Sequence, residues 1–136
     1  MNIIRRIPMN SLQKAVYSIL STKQTTPVYD DVPQQAELPY VTFGAFTCKQ
    51  VGSKTTDISD ISLQLHIWSV YSGKAEVNGI ADDLAAVLTA WPLDLSAAGF
   101  SVMEKDIDFF EAFPEETGSG FRGVLTFVAK IQNVGA

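Results

Sequence analysis

Several side chains in the sequence belong to types that could carry out catalysis, and the first of them form an aspartate pair. Asp30 and Asp31 lie in the stretch PVYDDVPQQAELPYVTFG, residues 27–44. Two carboxylates that share a proton or a metal ion are a common catalytic arrangement. In an extended chain, however, neighbouring side chains point to opposite sides, so these two would diverge. The prolines around them favour a turn with solvated aspartates, and we therefore predict a structural role.

The remaining single candidates also favour structural roles. His66 is the only histidine, and strand alternation places it on the polar face beside Gln64, which predicts a surface or interface position. Cys48 has no pattern of basic residues around it that would favour the thiolate, so an unreactive thiol is expected. Asp82 and Asp83 are neighbours on a predicted helix and do not face each other, which fits a solvated helix face.

Gly118 and Gly120 of the segment GSG are the one hint of a phosphate-binding loop. They follow acidic residues and precede a predicted strand, whereas phosphate loops open a helix and carry a lysine. The sequence therefore predicts no catalytic, cofactor-binding or metal-binding site. We expect a protein that is not an enzyme and that uses neither cofactor nor metal.

The bulk composition is typical of one soluble domain. The 136 residues are 46% hydrophobic, and a chain of this length can bury roughly two-thirds of its surface. Fifteen acidic against ten basic residues give a formal charge of −5, the wrong sign for a protein that mainly neutralises phosphates. The sequence shows neither a secretory signal nor the ~20 apolar residues that cross a bilayer. We expect one domain over residues 1–136, without a membrane partner.

Hydrophobic periodicity predicts two helices and four or five strands. Helix one is expected over residues 11–21 with Asn10 as its N-cap, and helix two ends at Pro92 after an apolar stripe. A short extended piece is expected around Val28 and Tyr29. Strands are predicted over residues 40–48, 61–71, 100–110 and 121–131, the first two of which pair as a hairpin. The fold class is α+β, with both helices packed on a mainly antiparallel sheet.

Two groups of residues could form contacts with a partner. Residues 49–60 are polar and predict a hairpin arm or loop, which either binds a neighbour or stays a mobile solvent loop. A second group gives the strand face opposite the core an apolar character, unless one helix covers each face. We favour two helices on one face, which leaves an interaction patch on the other. The candidate contact residues are Lys49, Lys54, Asp57 and Asp60 in the arm, and Trp68, Val70, Val124 and Val128 on the strands.

The order of several landmarks resembles one known family. The landmarks are the helix LQKAVYSILS, the stretch PVYDDVPQQAELPYVTFG, the strand and helix LQLHIWSVYSGKAEVNGIADDLAAVL and the closing strand GFRGVLTFVAKI. The most specific positions are Val28, Tyr29, Asp30, Val32, Pro33, Pro39, Tyr40, Val41, His66, Trp68, Ser69, Lys74, Ala75 and Glu76. In this order and spacing they resemble the tail completion family of tailed bacteriophages and prophages, over nearly the whole chain.

The resemblance implies a structural virion protein with a fold similar to the tail terminators of long-tailed phages. Such proteins form a ring, commonly a hexamer, that caps the tail tube and joins the tail to the head connector. The implied partners are further copies of the chain, the tail tube protein and a head-completion or connector protein, with DNA only in passage. The implied location is the tail–neck region of a virion, after synthesis and assembly in the bacterial host cytoplasm.

Two other functions stay open at this point. One is a different neck or minor tail component, and the other is a small-molecule-binding or enzymatic domain with a pocket between helix two and the sheet. A ring-like oligomer without a convergent polar pocket would favour assembly, whereas a monomer with such a pocket would favour a ligand domain.

Overall fold

The chain forms two α-helices and five β-strands, and the computed structural model describes residues 3–116 and 120–135. The elements are α1 (Met9–Lys23), β1 (Val28–Tyr29), β2 (Tyr40–Gln50), β3 (Asp57–Ser69), α2 (Ala75–Ala90), a 3-10 turn (Ser96–Ala98), β4 (Phe100–Pro114) and β5 (Phe121–Asn133). Within the described residues, no helix combines the length and the apolar character needed to cross a membrane.

The five strands form one sheet in the order β1-β2-β3-β5-β4. All neighbouring strands are antiparallel except β1, which pairs parallel to β2 at Val28 and Tyr29. The central pair, β3 and β5, keeps one register from Asp57 opposite Asn133 to Ser69 opposite Phe121. The predicted hairpin and the predicted fold class, two helices on a mainly antiparallel sheet, are confirmed.

Both helices pack on the same face of the sheet, and the core lies between them and that face. Every second residue of β3 and β5 points towards the helices, so these strands bury one parity of side chains. The helices contact each other and contribute Leu12, Val16 and Leu20 from α1 and Leu84 and Leu88 from α2. The strands contribute Ile61, Leu63, Leu65, Ile67, Leu125, Phe127, Ala129 and Ile131.

The boundaries of the helices differ from the prediction at α1. Asn10 is not the N-cap, because the helix begins at Met9 and the cap residue is Pro8. The carbonyl oxygen of Pro8 accepts the first helical hydrogen bond from the Leu12 amide at 3.1 Å, and proline has no amide to leave unsatisfied there. At the other end, α2 stops at the residue before Trp91, since the residue preceding Pro92 is disfavoured in helical conformation.

Only the middle of the predicted arm at residues 49–60 lies outside the strands. Strand β2 runs to Gln50 and β3 starts at Asp57, so only residues 51–56 link them. Within this link the amide of Ser53 donates to the Thr56 carbonyl at 3.1 Å and closes a turn. We call the end of the sheet that carries residues 51–56 the tip end.

Asp57 organises the tip end from inside the fold. Its carboxylate, 2% exposed, accepts hydrogen bonds from the Arg6 amide at 2.8 Å, Gln50 Nε2 at 2.6 Å and Asn133 Nδ2 at 3.1 Å. Burial alone would raise the pKa of Asp57, but these hydrogen bonds and the charge of Arg5 outweigh burial and lower it. The ionised carboxylate therefore ties the N-terminal segment, β2 and β5 together.

Arg6 fastens the same segment to the start of β4. Its guanidinium lies 4.1 Å from the ring centroid of Phe100 and donates to the carbonyl oxygens of Ala98 at 2.8 Å and Gly99 at 2.9 Å. It also donates to Asn133 Oδ1 at 2.7 Å. Arg6 thus satisfies carbonyl groups at the end of the 3-10 turn, where Gly99 adopts a positive φ of 80°.

We expect Arg6→Ala to lower the free energy of unfolding by about 2 kcal/mol, because several charge-assisted hydrogen bonds and the Phe100 contact are lost. Arg5→Ala is the matched control. Among the residues that the structure describes, the Arg5 guanidinium donates hydrogen bonds only to the carbonyls of Ser53 and Thr56, and it lies 3.7 Å from Asp57. Its loss should cost less than about 1 kcal/mol. Urea unfolding followed by circular dichroism would measure both, and equal losses would contradict the role of Arg6.

Because the pKa of Asp57 is lowered, the free energy of unfolding depends on pH in the acidic range. A depressed carboxyl pKa contributes stability above its ordinary value of 3.8, and this contribution disappears as the pH falls through the folded-state pKa. We expect Asp57→Asn to reduce stability at pH 7 by about 2 kcal/mol, since an amide presents a donor where only donors approach. The variant should also lose less stability than the wild type between pH 6 and pH 3. An unchanged acid profile would contradict this assignment; Asp31→Asn, at an exposed position, is the control.

Candidate interaction face and edges of the sheet

The sheet face opposite the helices is uncovered in the described part of the chain. Because strand side chains alternate, this face receives the other parity of β3 and β5, and its residues are mostly half-buried by their strand neighbours alone. We call it the open face. Its central residues are Asp60, Ser62, Gln64, His66 and Trp68 from β3 and Arg122, Val124, Thr126, Val128 and Lys130 from β5.

Four charged residues form a line across the open face near the tip end. Lys49 on β2 lies opposite Asp60 on β3, Asp60 opposite Lys130 on β5, and Lys130 opposite Glu104 on β4. Lys130 Nζ lies 4.0 Å from Asp60 Oδ1 and 3.7 Å from Glu104 Oε1. We call this line the charged row. Its signs alternate across four strands, with a base at the β2 edge and an acid at the β4 edge.

A shallow concavity of ≈ 590 Å³ lies over the charged row and the next row of the sheet. Thr47, Ser62, Val128 and Asp106 line it together with the four charged residues. Each of these two rows has one side chain from each of β2, β3, β5 and β4, in register. The concavity is therefore the curved surface of the sheet itself. It exposes Val128 between charged groups, a composition that suits contact with another protein surface.

The opposite end of the open face is aromatic. The Arg122 guanidinium lies 4.6 Å from the Trp68 ring centroid and 5.4 Å from that of Phe113, and its Nε is 3.9 Å from a Glu115 carboxylate oxygen. Trp68 Nε1 donates to Thr42 Oγ1 at 3.0 Å. We call this part the aromatic end. Its stacked planar groups are held in place by their neighbours, so they present a rigid surface.

His66 lies between these two ends, and its surroundings do not suit acid–base catalysis. Its ring stacks near Trp68 with centroids 6.3 Å apart, and its Nε2 lies 3.4 Å from the Gln64 side-chain oxygen. Burial and, to a smaller extent, the charge of Arg122 lower the pKa of His66. The ring also covers Gly44 of β2, where any Cβ atom would collide with it. His66 is thus a neutral packing residue at pH 7.

The predicted contact residues lie in several different places on the molecule. Lys49 and Asp60 belong to the charged row, whereas Trp68, Val124 and Val128 lie along the open face. Lys54 is exposed in the link 51–56, and Val70 is 56% exposed just beyond β3. Asp57 differs from the prediction, because its buried carboxylate faces the helix side and is occupied by internal donors. It holds the tip end together and has no surface to offer a partner.

The other residues considered for chemistry are scattered. Asp30 and Asp31 are exposed in the bend after β1, and Asp82 and Asp83 are exposed on α2. Cys48 is half-buried on the core side of β2. Gly118 of the segment GSG lies outside the described residues. In the ranges 3–116 and 120–135, no three potential metal ligands come together.

Strand β4 carries functional candidates that its sequence pattern concealed. Its pairing with β5 shifts between Val102 and Glu104 and again between Ile107 and Phe109, so two bulges interrupt the alternation. Glu104, Asp106, Phe109, Glu111 and Phe113 all reach the open face as a result. The acidic residues recurring along residues 104–111 were the available signal.

Comparison with known proteins assigns the family. The family model described as "Tail completion protein gp17" matches residues 13–132 of the chain. The chain belongs to this family. No curated protein matches the sequence. The predicted family is therefore confirmed, and so is the predicted location in the tail–neck region of a virion.

Two solved structures share the fold of this tail completion protein. A chain from the virion of a native gene transfer agent (GTA) particle is 23% identical, with a TM-score of 0.82 over 91% of this chain and 96% of that chain. The bacteriophage SPP1 gp17 protein is 20% identical, with a TM-score of 0.61 over 96% of each chain. The gp17 family is one of structural tail proteins, so function is to be sought in binding surfaces such as the open face.

His66 provides a test of how the open face is packed. Because its pKa is lowered from the ordinary value of 6.5, protonation favours the unfolded chain, and stability falls as the pH drops below about 6.5. We expect His66→Gln to lose less stability than the wild type between pH 7.5 and pH 5.5. His66 is the only histidine, so few other groups titrate in this range. Denaturant unfolding at several pH values would measure the difference, and parallel pH profiles would contradict the packing role.

Proposed function

We propose that this tail completion protein caps the finished tail tube as a ring, commonly a hexamer, and joins the tail to the head connector. A closed ring is a head-to-tail assembly, in which every subunit must present two different and complementary patches. The observation that carries the proposal is the asymmetry of the sheet. The charged row ends in the base Lys49 at the β2 edge and in the acid Glu104 at the β4 edge. The two edges of one subunit are therefore different from each other and complementary in charge.

The two ends of the sheet supply further surfaces for a joining role. The aromatic end carries Trp68 and Phe113, with exposed Val70 and Tyr71 beside them. The tip end carries the link 51–56, with exposed Ile4, Ile7 and Val134 nearby on the terminal segments. Exposed apolar groups of this kind are common at protein–protein contacts. In our proposal one end meets the tail tube protein and the other meets the connector or head-completion protein.

The charge of the chain fits the passage of DNA through such a ring. Fifteen acidic against ten basic residues leave a formal charge of −5, so the protein as a whole repels phosphates. DNA would then move through the ring without being retained. Similarity to a chain of a gene transfer agent virion supports assembly with other virion proteins.

Deleting the gene in a producing strain tests the proposed function directly. We expect separate full heads together with unjoined or overlong tails in electron micrographs, because neither the tube end nor the neck would be completed. Supplying the wild-type gene from a plasmid should restore joined particles. Normal virions without the protein would rule out both capping and joining.

A further inference from the structure

We propose that neighbouring copies join edge to edge, β4 of one copy pairing with β2 of the next so that Glu104 meets the neighbour's Lys49. This inference rests on the proposed ring and specifies which surfaces hold it together. It follows from three properties of the sheet: both edges are open, the edge strands have opposite directions, and the charged row ends in opposite signs.

The backbone of both edge strands is available for pairing. Strand β1 covers β2 only at Val41 and Thr42. Beyond that point the outer side of β2, residues 44–50, makes no backbone hydrogen bond to the described residues. Strand β4 pairs with β5 on one side, and its other side from Ser101 to Pro114 has no strand beside it in the described ranges. Unpaired edges of this length are templates for another strand.

The strand directions allow a second copy in the same orientation. Each step from β2 to β3, β5 and β4 is antiparallel, so β4 runs opposite to β2. A copy placed beside the first without inversion therefore brings its β2 antiparallel to the first copy's β4. Antiparallel pairing is the more stable form per residue, and this placement can be repeated around a ring.

The charged row sets the register of the contact. Within one copy it has the order base, acid, base, acid from Lys49 to Glu104. Glu104 is 72% exposed and has Lys130 on one side only. No described carboxylate lies within 4.0 Å of the Lys49 ammonium. A neighbour in the proposed register continues the alternation, because its Lys49 lies next to Glu104, and each outer charge acquires a partner.

The same charges discriminate against the wrong arrangement. Pairing β4 with β4 of another copy would bring together the acidic side chains of Glu104, Asp106 and Glu111, and like charges across strands are unfavourable. The bulges at Met103 and Asp108 also interrupt β4, so straight pairing is restricted to short segments such as residues 104–107. An acidic, bulged edge accepts a basic edge selectively, and the basic edge is that of β2.

The test uses two variants that each block one type of contact. Lys49→Glu places a carboxylate against the neighbour's Glu104, and Glu104→Lys places an ammonium group against the neighbour's Lys49. Each variant alone therefore has like charges at every contact between copies. When both variants are present and alternate around a ring with an even number of subunits, no contact brings together two acidic or two basic side chains. In half of these contacts both edges are altered and carry opposite charges, and in the other half both edges keep the natural pair of Lys49 and Glu104.

We expect each variant alone, in the strain that lacks the gene, to reduce joined particles more than about tenfold, since like charges at an interface are strongly unfavourable. Co-expression of both variants should restore joined particles. Within each variant chain the altered charge lies beside the same neighbour, Asp60 or Lys130, whether or not the other variant is present. Rescue in the mixture would therefore show that the single variants fail in pairing between copies and not in folding. Asp82→Lys on α2 and Lys74→Glu before it are matched, exposed charge controls and should join particles like the wild type.

Two results would overturn the edge contact while leaving capping and joining intact. One is normal joining by each variant alone, and the other is failure of the mixture when both controls succeed. If deletion of the gene itself leaves normal virions, the proposed function fails instead. Sedimentation of the purified variants then judges the pairing separately: a mixture larger than either variant supports it, and an unchanged size contradicts it.

Discussion

The arrangement of the whole molecule depends on burying one face of the central β3–β5 pair under both helices. These two strands stay in register over their full length, so their alternating apolar residues form a continuous surface that α1 and α2 cover together. The same alternation sends His66, Trp68, Val124 and Val128 to the opposite side. A small chain with two helices cannot cover that second face. The open face is therefore the direct result of how the core is built.

The tip end shows how a short polar cluster can fix the edges of such a sheet. Asp57 is ionised although it is buried, because three donors from different parts of the chain converge on it. Arg6 joins the same cluster to the beginning of β4. Together they connect the ends of β2 and β5 with the beginnings of β3 and β4. The charged row lies close by, with Asp60 on the same strand as Asp57.

Much of the fold could be predicted from the sequence, and the exceptions have physical causes. The strands around Ile61–Ile67 and Phe121–Ile131 alternate cleanly because each has one buried face, and α2 has a wide apolar stripe. Strand β4 has no such clean pattern, since the bulges at Met103 and Asp108 shift the parity of its side chains. Glu104 is absent from the predicted contact residues for that reason. The sequence places Asp57 in a polar arm because its burial depends on Arg6 and Asn133, which are distant along the chain.

The cluster at the tip end brings both terminal segments of the chain to the same place. Asn133 Nδ2 donates to the carbonyl of Ile4 at 3.2 Å, and the amide of Val134 donates to the carbonyl of Gly99 at 2.9 Å. A tag or a fluorescent domain fused to either terminal segment would therefore lie at the tip end of the sheet. Fusion proteins offer a way to orient the subunit in images of a tail, and they would leave the aromatic end unobstructed.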